Sequence, residues 1–176
     1  MHRPEDSIRS YIYAKDRNQP HRMKQAFSEN ASLEMSVKTD NIAFPPTTYG
    51  REEITNVLVR RFAQTYENVY TLCLAPPPEK NMHQFGCDWL VFMSEKADRQ
   101  VRVGCGWYDW RFQQNSHLVE QLTITIEIMQ SLPSEHLEAV MKWVSALPYP
   151  WCPAAQVLRE WPQLSELKNI REYVSR

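Results

Sequence analysis

Three segments of the chain carry apolar residues at the spacing of one helix face. The first is residues 4–16 (PEDSIRSYIYAKD), whose predicted inward stripe consists of Ile8, Tyr11, Ile12 and Lys15. A second helix is predicted to begin at Pro20, because proline suits the first helical turn. Its inward residues are Met23, Ala26 and Phe27. A third helix is predicted over residues 51–65, with an inward stripe of Ile54, Val57, Leu58 and Phe62.

Between and after these helices the pattern changes to the alternation that is typical of strands. Residues 31–37 predict a short strand, and residues 38–50 predict a loop because they contain Pro45, Pro46 and Gly50. Four longer strands are predicted at 69–75, 82–95, 100–113 and 117–129. The last three are joined by very short connections, which favours an antiparallel meander.

The segment from Pro133 onward is helical again in its pattern. Its predicted apolar residues are Leu137, Val140, Met141, Val144, Val157, Leu158, Trp161, Leu164 and Leu167. This order of elements, with helices first, then one strand and a helix, and then a meander, predicts an α+β fold. In this fold a long, curled antiparallel sheet wraps on the N-terminal helices and encloses a cone-shaped pocket. The tail adds further helices to the same domain.

Composition removes several classes of function. The 176 residues carry 20 basic and 21 acidic side chains, and this near-neutral balance argues against a nucleic-acid partner. There is no apolar run long enough for a membrane span, and the first 30 residues show no signal peptide. The four cysteines are scattered singly, which argues against a metal site and favours reduced thiols in a cytoplasmic protein.

Three motifs, in order, resemble the nuclear-transport-factor-2-like superfamily, especially its SnoaL-like branch. The segment IRSYIYAKDRNQPHRMKQAFSENASLEMS is similar to the opening of that family, with Tyr13, Asp16 and Phe27 at family positions. YGREEITNVL resembles the segment that opens the third helix, and GWYDWRF resembles a family strand. The resemblance implies a cone-shaped barrel over residues 1–132, with 133–176 as a helical extension packed on it. It also implies chemistry through buried acids, without a cofactor.

Register decides which side chains share a sheet face. A two-residue turn at Ala97-Asp98 predicts that Asp88 pairs with Trp107, and a two-residue turn at Gln114-Asn115 predicts that Asp109 pairs with Glu120. One face then combines an apolar end with three acids and an arginine, and we take it as the inner face. Its predicted members are Asp88, Leu90, Phe92, Val101, Val103, Cys105, Trp107, Asp109, Arg111, Glu120, Leu122, Ile124 and Ile126.

Carboxylates beside an apolar wall are suited to proton transfer, because desolvation and mutual repulsion raise their pKa values. The predicted catalytic residues on this face are therefore Asp88 and Asp109, and the resemblance adds Asp16, whose family position implies that it faces the pocket from the first helix. The predicted ligand-binding residues are Tyr13, Phe92, Cys105, Trp107, Glu120 and Leu122. Each has a structural alternative: Asp109 could pair with Arg111, Asp16 could cap the second helix, and Tyr13 could be a core tyrosine.

The sequence thus predicts a protein that binds a small apolar or aromatic molecule. If it is an enzyme, the expected reaction is a cofactor-free isomerisation, dehydration, cyclisation or hydrolysis. The alternative is a non-catalytic dimerising or accessory module, similar to the small subunits of oxygenases. In that interpretation the opposite sheet face forms a homodimer interface through its aromatic residues Trp89, Tyr108, Trp110 and Phe112.

Overall fold

The computed structural model describes all residues from Met1 to Arg176. The N-terminal half contains helix α1 (Pro4–Asp16), a 3-10 helix (Pro20–Gln25) and a broken third helix. That third helix consists of α2 (Arg51–Thr55), a π-helical turn (Asn56–Arg60) and α3 (Phe62–Thr65). The tail contains 3-10 helices Ser134–His136 and Ser165–Leu167 and helices α4 (Leu137–Ser145), α5 (Ala154–Arg159) and α6 (Lys168–Ser175).

Six strands form one curved, unclosed sheet in the order β2-β1-β6-β5-β4-β3. Their bounds are β1 (Phe27–Val37), β2 (Thr47–Tyr49), β3 (Tyr66–Cys73), β4 (Gln84–Glu95), β5 (Val101–Phe112) and β6 (Val119–Leu132). The predicted α+β fold, with its curved sheet on N-terminal helices, is confirmed. The sheet is mixed rather than fully antiparallel, because β1 pairs with β6 in the parallel sense.

Both faces of the sheet are buried, in two separate apolar clusters. The inner face packs on α1 and on the broken third helix; its strand residues include Trp89, Val91, Met93, Tyr108, Trp110, Leu122, Ile124 and Ile126. The outer face packs on the tail helices; its strand residues are Leu72, Leu90, Phe92, Val101, Val103, Cys105 and Leu132. The tail therefore supplies a second layer of helices that covers the side of the sheet away from α1.

The tail also covers one edge of the sheet. The amide of Cys73, the last residue of β3, donates to the carbonyl of Pro150 over 2.7 Å, and the amide of Cys152 donates back to the carbonyl of Cys73 over 2.9 Å. An exposed strand edge offers unpaired backbone groups to other chains. Residues 149–152 cover the end of this edge.

The two predicted registers have opposite outcomes. The β4–β5 register is confirmed, since Asp88 pairs with Trp107 and Gly86 pairs with Asp109. The β5–β6 register is wrong, because Asp109 pairs with Thr123 and not with Glu120. The connection spans residues 113–118 and is not a two-residue turn: the amide of Gln113 donates to the carbonyl of Leu118 over 2.9 Å.

A β-bulge at Arg111/Phe112, which leaves Glu120 as an extra residue in β6, adds a one-residue shift, and this odd shift reverses the face assignment of β6. Leu122, Ile124 and Ile126 lie on the inner face beside Tyr108, whereas the face that carries Asp109 is the outer one. The prediction that the Asp88–Asp109 face lines the pocket is therefore wrong. The tail helices explain the error. Because they cover the outer face, its strand residues are apolar as well, and the sequence does not distinguish the two faces.

The predicted homodimer surface is also not available. Trp89, Tyr108, Trp110 and Phe112 all lie in the inner cluster and are at most 4% exposed. They pack on one another and on α1; the Tyr108 and Trp110 ring centroids, for example, are 5.1 Å apart. These aromatic residues belong to the core of one chain, so a partner cannot contact them.

Two further properties of the chain bear on its function. No helix combines the length and the apolar character that crossing a lipid bilayer requires. No three side chains among the histidines, cysteines, aspartates and glutamates cluster closely enough to hold a metal ion.

Candidate functional site

A small cavity of about 50 Å³ lies between the inner sheet face and the N-terminal helices. Thirteen of its fifteen lining residues are hydrophobic. The lining consists of Tyr11, Lys15, Met35, Ile42, Phe44, Leu58, Phe62, Thr71, Trp89, Val91, Met93, Tyr108, Ile124, Ile126 and Met129. Water needs roughly 10–15 Å³ and two to four polar partners, so this cavity is large enough for water but offers it few partners. It is suited to an apolar occupant.

Each segment contributes to the cavity through its own periodicity. Alternate residues of β4 and β6 face inward, which brings Trp89, Val91 and Ile124 to the wall. Helix α1 lies across them with the stripe that contains Tyr11 and Lys15. The loop between β1 and β2 adds Ile42 and Phe44 to the lining.

The polar part of the cavity wall consists of Lys15 and Thr71, and Lys15 forms a buried ion pair with Asp16 behind this wall. The Lys15 ammonium donates to Oδ1 of Asp16 over 2.8 Å and to Oγ1 of Thr71 over 2.6 Å. The two charged side chains are only 8% and 1% exposed. The Lys15 Nζ also lies 4.9 Å from the centroid of the Phe62 ring. The bonds to Asp16 and Thr71 use two of the three ammonium hydrogens, so Lys15 retains one N–H donor for a ligand.

The Asp16 carboxylate accepts four hydrogen bonds. Besides Lys15, its donors are the Thr71 hydroxyl at 2.8 Å, the Thr71 amide at 2.7 Å and the Tyr149 hydroxyl at 2.7 Å. A carboxylate has about four lone-pair sites, so these bonds satisfy it. Asp16 is therefore suited to holding Lys15 in place rather than to abstracting a proton from a ligand.

Three tyrosines around this pair stay protonated. Burial, followed by the Asp16 charge, raises the pKa of Tyr11 and of Tyr149 far above that of a free tyrosine. Burial also raises the pKa of Tyr108, with Tyr11 as the next contribution. The Tyr11 and Tyr108 rings are 6.4 Å apart and both line the cavity. They present neutral hydroxyl-bearing rings to it.

The three predicted catalytic acids lie apart. Asp16 is next to the cavity, on the inner side. Asp88 is on the outer face, where it accepts hydrogen bonds from Tyr173 at 3.0 Å and from Arg176 at 3.1 Å. Asp109 is also on the outer face, bonded to Gln84 over 3.1 Å. The three acids do not form one cluster.

None of the six predicted ligand-binding residues lines the cavity. Phe92 and Cys105 lie in the outer cluster, where burial raises the pKa of the Cys105 thiol to about 12. Trp107 is 41% exposed on the outer face, and Glu120 is exposed. The other two are on the inner side but outside the lining: Tyr13 stacks on Tyr149 at 5.6 Å, and Leu122 is buried in the inner cluster.

Sequence reasoning missed Lys15 as a functional residue, although the signal was present. A lysine within the apolar stripe of α1 must bury its charge, and buried lysines require a partner. Thr71 and the three methionines Met35, Met93 and Met129 carry no comparable signal, because each is ordinary in a strand that faces a core. Tyr149 is more than 130 positions from Asp16, and no local pattern connects them.

Comparison with known proteins gives matches only in structure. No protein-family model matches the sequence, and no curated protein matches it. A nuclear transport factor 2-like superfamily protein from Salmonella enterica is 18% identical, with a TM-score of 0.53; the match covers 69% of this chain and 87% of that one.

Two further solved structures contain or bind small molecules. A protein from Catenulispora acidiphila with a ketosteroid isomerase-like fold, in complex with trimethylamine, has 12% identity and a TM-score of 0.53, over 68% of this chain and 83% of that one. A computationally designed 17-OHP binder has 10% identity and a TM-score of 0.57, over 74% of this chain and 99% of that one. At these identities the likeness establishes the fold, and it confirms the resemblance to the nuclear-transport-factor-2-like superfamily at that level.

Proposed function

We propose that this chain, which has the nuclear-transport-factor-2-like fold, binds a small, mainly apolar molecule in the cavity between its sheet and its N-terminal helices. The observation that carries the proposal is the cavity of about 50 Å³ with an almost wholly hydrophobic lining. An apolar cavity stays dry and accepts apolar atoms. Neighbours with the same fold bind molecules as different as trimethylamine and 17-OHP, which is consistent with an adaptable pocket.

The methionines of the lining support adaptation. Met35, Met93 and Met129 come from three different strands and meet at the cavity. Methionine has three rotatable bonds and a polarisable sulfur, so it repacks around ligands of different shape. A ligand larger than the present cavity is accommodated by rotation of these side chains.

Filling the cavity should abolish binding of apolar probes. Ile126→Phe adds volume to a residue that lines the cavity, whereas Ile128→Phe makes the same change on the same strand toward the outer cluster. We expect xenon and benzene to shift the methyl NMR signals of the cavity methionines in the unsubstituted protein and in Ile128→Phe. In Ile126→Phe the shifts are expected to disappear.

Circular dichroism and thermal unfolding establish that both variants are folded before the probes are added. The proposal is contradicted if neither probe shifts the methionine signals of the unsubstituted protein. It is equally contradicted if Ile126→Phe binds the probes as well as Ile128→Phe does.

A second candidate function is cofactor-free acid–base catalysis, and the buried Lys15–Asp16 pair favours it. An ammonium held in a low-dielectric wall can stabilise negative charge that develops on a carbonyl oxygen. Asp16 and Thr71 fix its position. In this candidate Lys15 is the catalytic residue that stabilises the enolate oxygen, Asp16 is a positioning residue, and a base from the buffer takes the α-proton.

Hydrogen–deuterium exchange at the α-carbon of cyclopentanone, followed by NMR, tests this candidate. We expect the protein to accelerate exchange and Lys15→Met to lose the acceleration while it still binds xenon. Lys24→Met, which removes an exposed lysine, is the control. Exchange at the uncatalysed rate with the unsubstituted protein would exclude this role for Lys15.

A further inference from the structure

A groove of about 370 Å³ lies on the surface directly outside the cavity. Three residues line both spaces, namely Ile42, Phe44 and Phe62. These side chains are the wall between the cavity and the groove. If Ile42 and Phe44 move, the two spaces become continuous, and the joined space lies within the range of about 300–1,000 Å³ that is typical of small-molecule sites.

The part of this wall formed by residues 42–45, here called the flap, is held only by side-chain packing. Its backbone takes part in no backbone hydrogen bond. The flanking residues are anchored: the Asn41 side chain donates to the carbonyl of Met129 over 2.7 Å, and the Met35 amide donates to the carbonyl of Pro46 over 2.9 Å. Arg102 also donates to the carbonyl of Asn41.

A short segment without backbone hydrogen bonds between two fixed ends opens at low free-energy cost. Within the flap, Ile42 and Phe44 point inward and are half-buried, while Ala43 and Pro45 are exposed. Movement of the flap removes two side chains from the wall and leaves the strands of the sheet in place. This is the arrangement of a gate between solvent and an interior site.

The chemistry of the groove differs from that of the cavity. Arg61 is the one charged residue in its lining, and Thr65 and Tyr66 add hydroxyl groups. Arg61 is paired with Glu53 over 3.1 Å, but the side chains are 58% and 49% exposed. Such an exposed pair contributes little, so a ligand can compete for the guanidinium. Burial raises the pKa of Tyr66, so its hydroxyl remains a donor.

We infer that the cavity and the groove are two halves of one site for an elongated amphiphile, whose apolar chain passes the flap into the cavity and whose carboxylate lies at Arg61. This inference rests on the proposed function, since the apolar half is the same cavity. It adds the chemical class of the ligand and its orientation. Guanidinium groups recognise carboxylates through charge-assisted hydrogen bonds, which an alcohol does not match.

Three probes of equal chain length test the head group: hexanoate, 1-hexanol and hexylamine, titrated against the intrinsic fluorescence of the protein, since Trp89 lines the cavity. We expect hexanoate to bind about fivefold more tightly than 1-hexanol, as one partly exposed charge pair allows. Hexylamine is expected to bind most weakly. Arg61→Gln should remove the preference for hexanoate.

Arg60→Gln is the matched control, because Arg60 is adjacent, bonds Glu52 and Asn56, and does not line the groove. It should leave the hexanoate preference unchanged. Equal binding of hexanoate and 1-hexanol, or loss of the preference in both arginine variants, overturns the inference. That result leaves the proposed function intact as long as xenon and benzene still bind.

Stopped-flow kinetics test the flap. Phe44→Ala removes most of one gate side chain, and we expect hexanoate to associate and dissociate several-fold faster. Phe85→Ala is the control, because Phe85 is a half-buried aromatic residue that packs on Trp151 away from the groove. Association rates that are the same in Phe44→Ala and in the unsubstituted protein rule out the flap as the entrance.

Discussion

Asp16→Ala is expected to lower the free energy of unfolding by about 3–5 kcal/mol, which is the cost of leaving one member of a buried ion pair without its partner. The change removes the acceptor of the Lys15 ammonium, of both Thr71 donors and of the Tyr149 hydroxyl. None of these groups gains water in exchange, because the pair is almost completely buried. Urea unfolding followed by circular dichroism measures the change.

Asp109→Ala is the control for this prediction, since it removes a carboxylate whose hydrogen bond to Gln84 is exposed to solvent. We expect it to change stability by no more than about 0.5 kcal/mol. A double-mutant cycle adds a second check. Lys15→Met combined with Asp16→Ala should cost less than the sum of the single changes, because no unpaired charge is left. If the losses in the free energy of unfolding are additive, Lys15 and Asp16 have no interaction energy, and the prediction is wrong.

Gly106→Ala is expected to lower the free energy of unfolding by about 3 kcal/mol, at the upper end of the cost of overpacking. A methyl group at this position would lie 1.8 Å from the carbonyl oxygen of Thr125 and 2.9 Å from the Trp89 ring. The same carbonyl accepts the Trp89 indole N–H over 3.2 Å. The backbone of β6 cannot withdraw without breaking its pairing with β5.

Gly104→Ala is the matched control in the same strand. Its added methyl group would meet Cε of Met129 at 2.5 Å, which is the far end of a flexible side chain. Met129 can rotate away, so we expect a loss of about 1 kcal/mol. Thermal unfolding of both variants gives the comparison. Equal losses would show that side-chain adjustment relieves both contacts.

The parts of the fold that were predictable from sequence are those set by local pattern. The apolar stripe of α1 and the β4–β5 register both depend on residues close together in the chain, and both predictions are confirmed. The β5–β6 register failed because it depends on a tertiary contact. His117 in the connecting loop adopts a φ of 58°, its carbonyl accepts the Ser7 hydroxyl over 2.7 Å, and its ring bonds the carbonyl of His2 over 3.0 Å. These contacts hold the longer connection against the N-terminus, and the β-bulge at Arg111/Phe112 then shifts β6 by one further residue.

The candidate site was less predictable than the fold. The inner and outer faces of β4 and β5 have similar apolar content, so the sequence alone does not say which face the N-terminal helices cover. Asp16 was found through its place in a family motif, but its bonds to Thr71 and Tyr149 give it a different role from proton transfer. Those partners come from β3 and from the tail, and only the folded chain brings them together.

The position of the tail has a consequence for biosynthesis. Asp16 and β3 are synthesised early. Their hydrogen-bond partners, the Tyr149 hydroxyl for Asp16 and the Pro150 carbonyl for the end of β3, are translated more than 70 residues after β3 ends. Until the ribosome releases those residues, the outer apolar face and the β3 edge of the nascent chain are uncovered. Such surfaces are recognised by chaperones and favour aggregation. The nascent sheet therefore passes through an aggregation-prone stage, which ends only when the tail emerges.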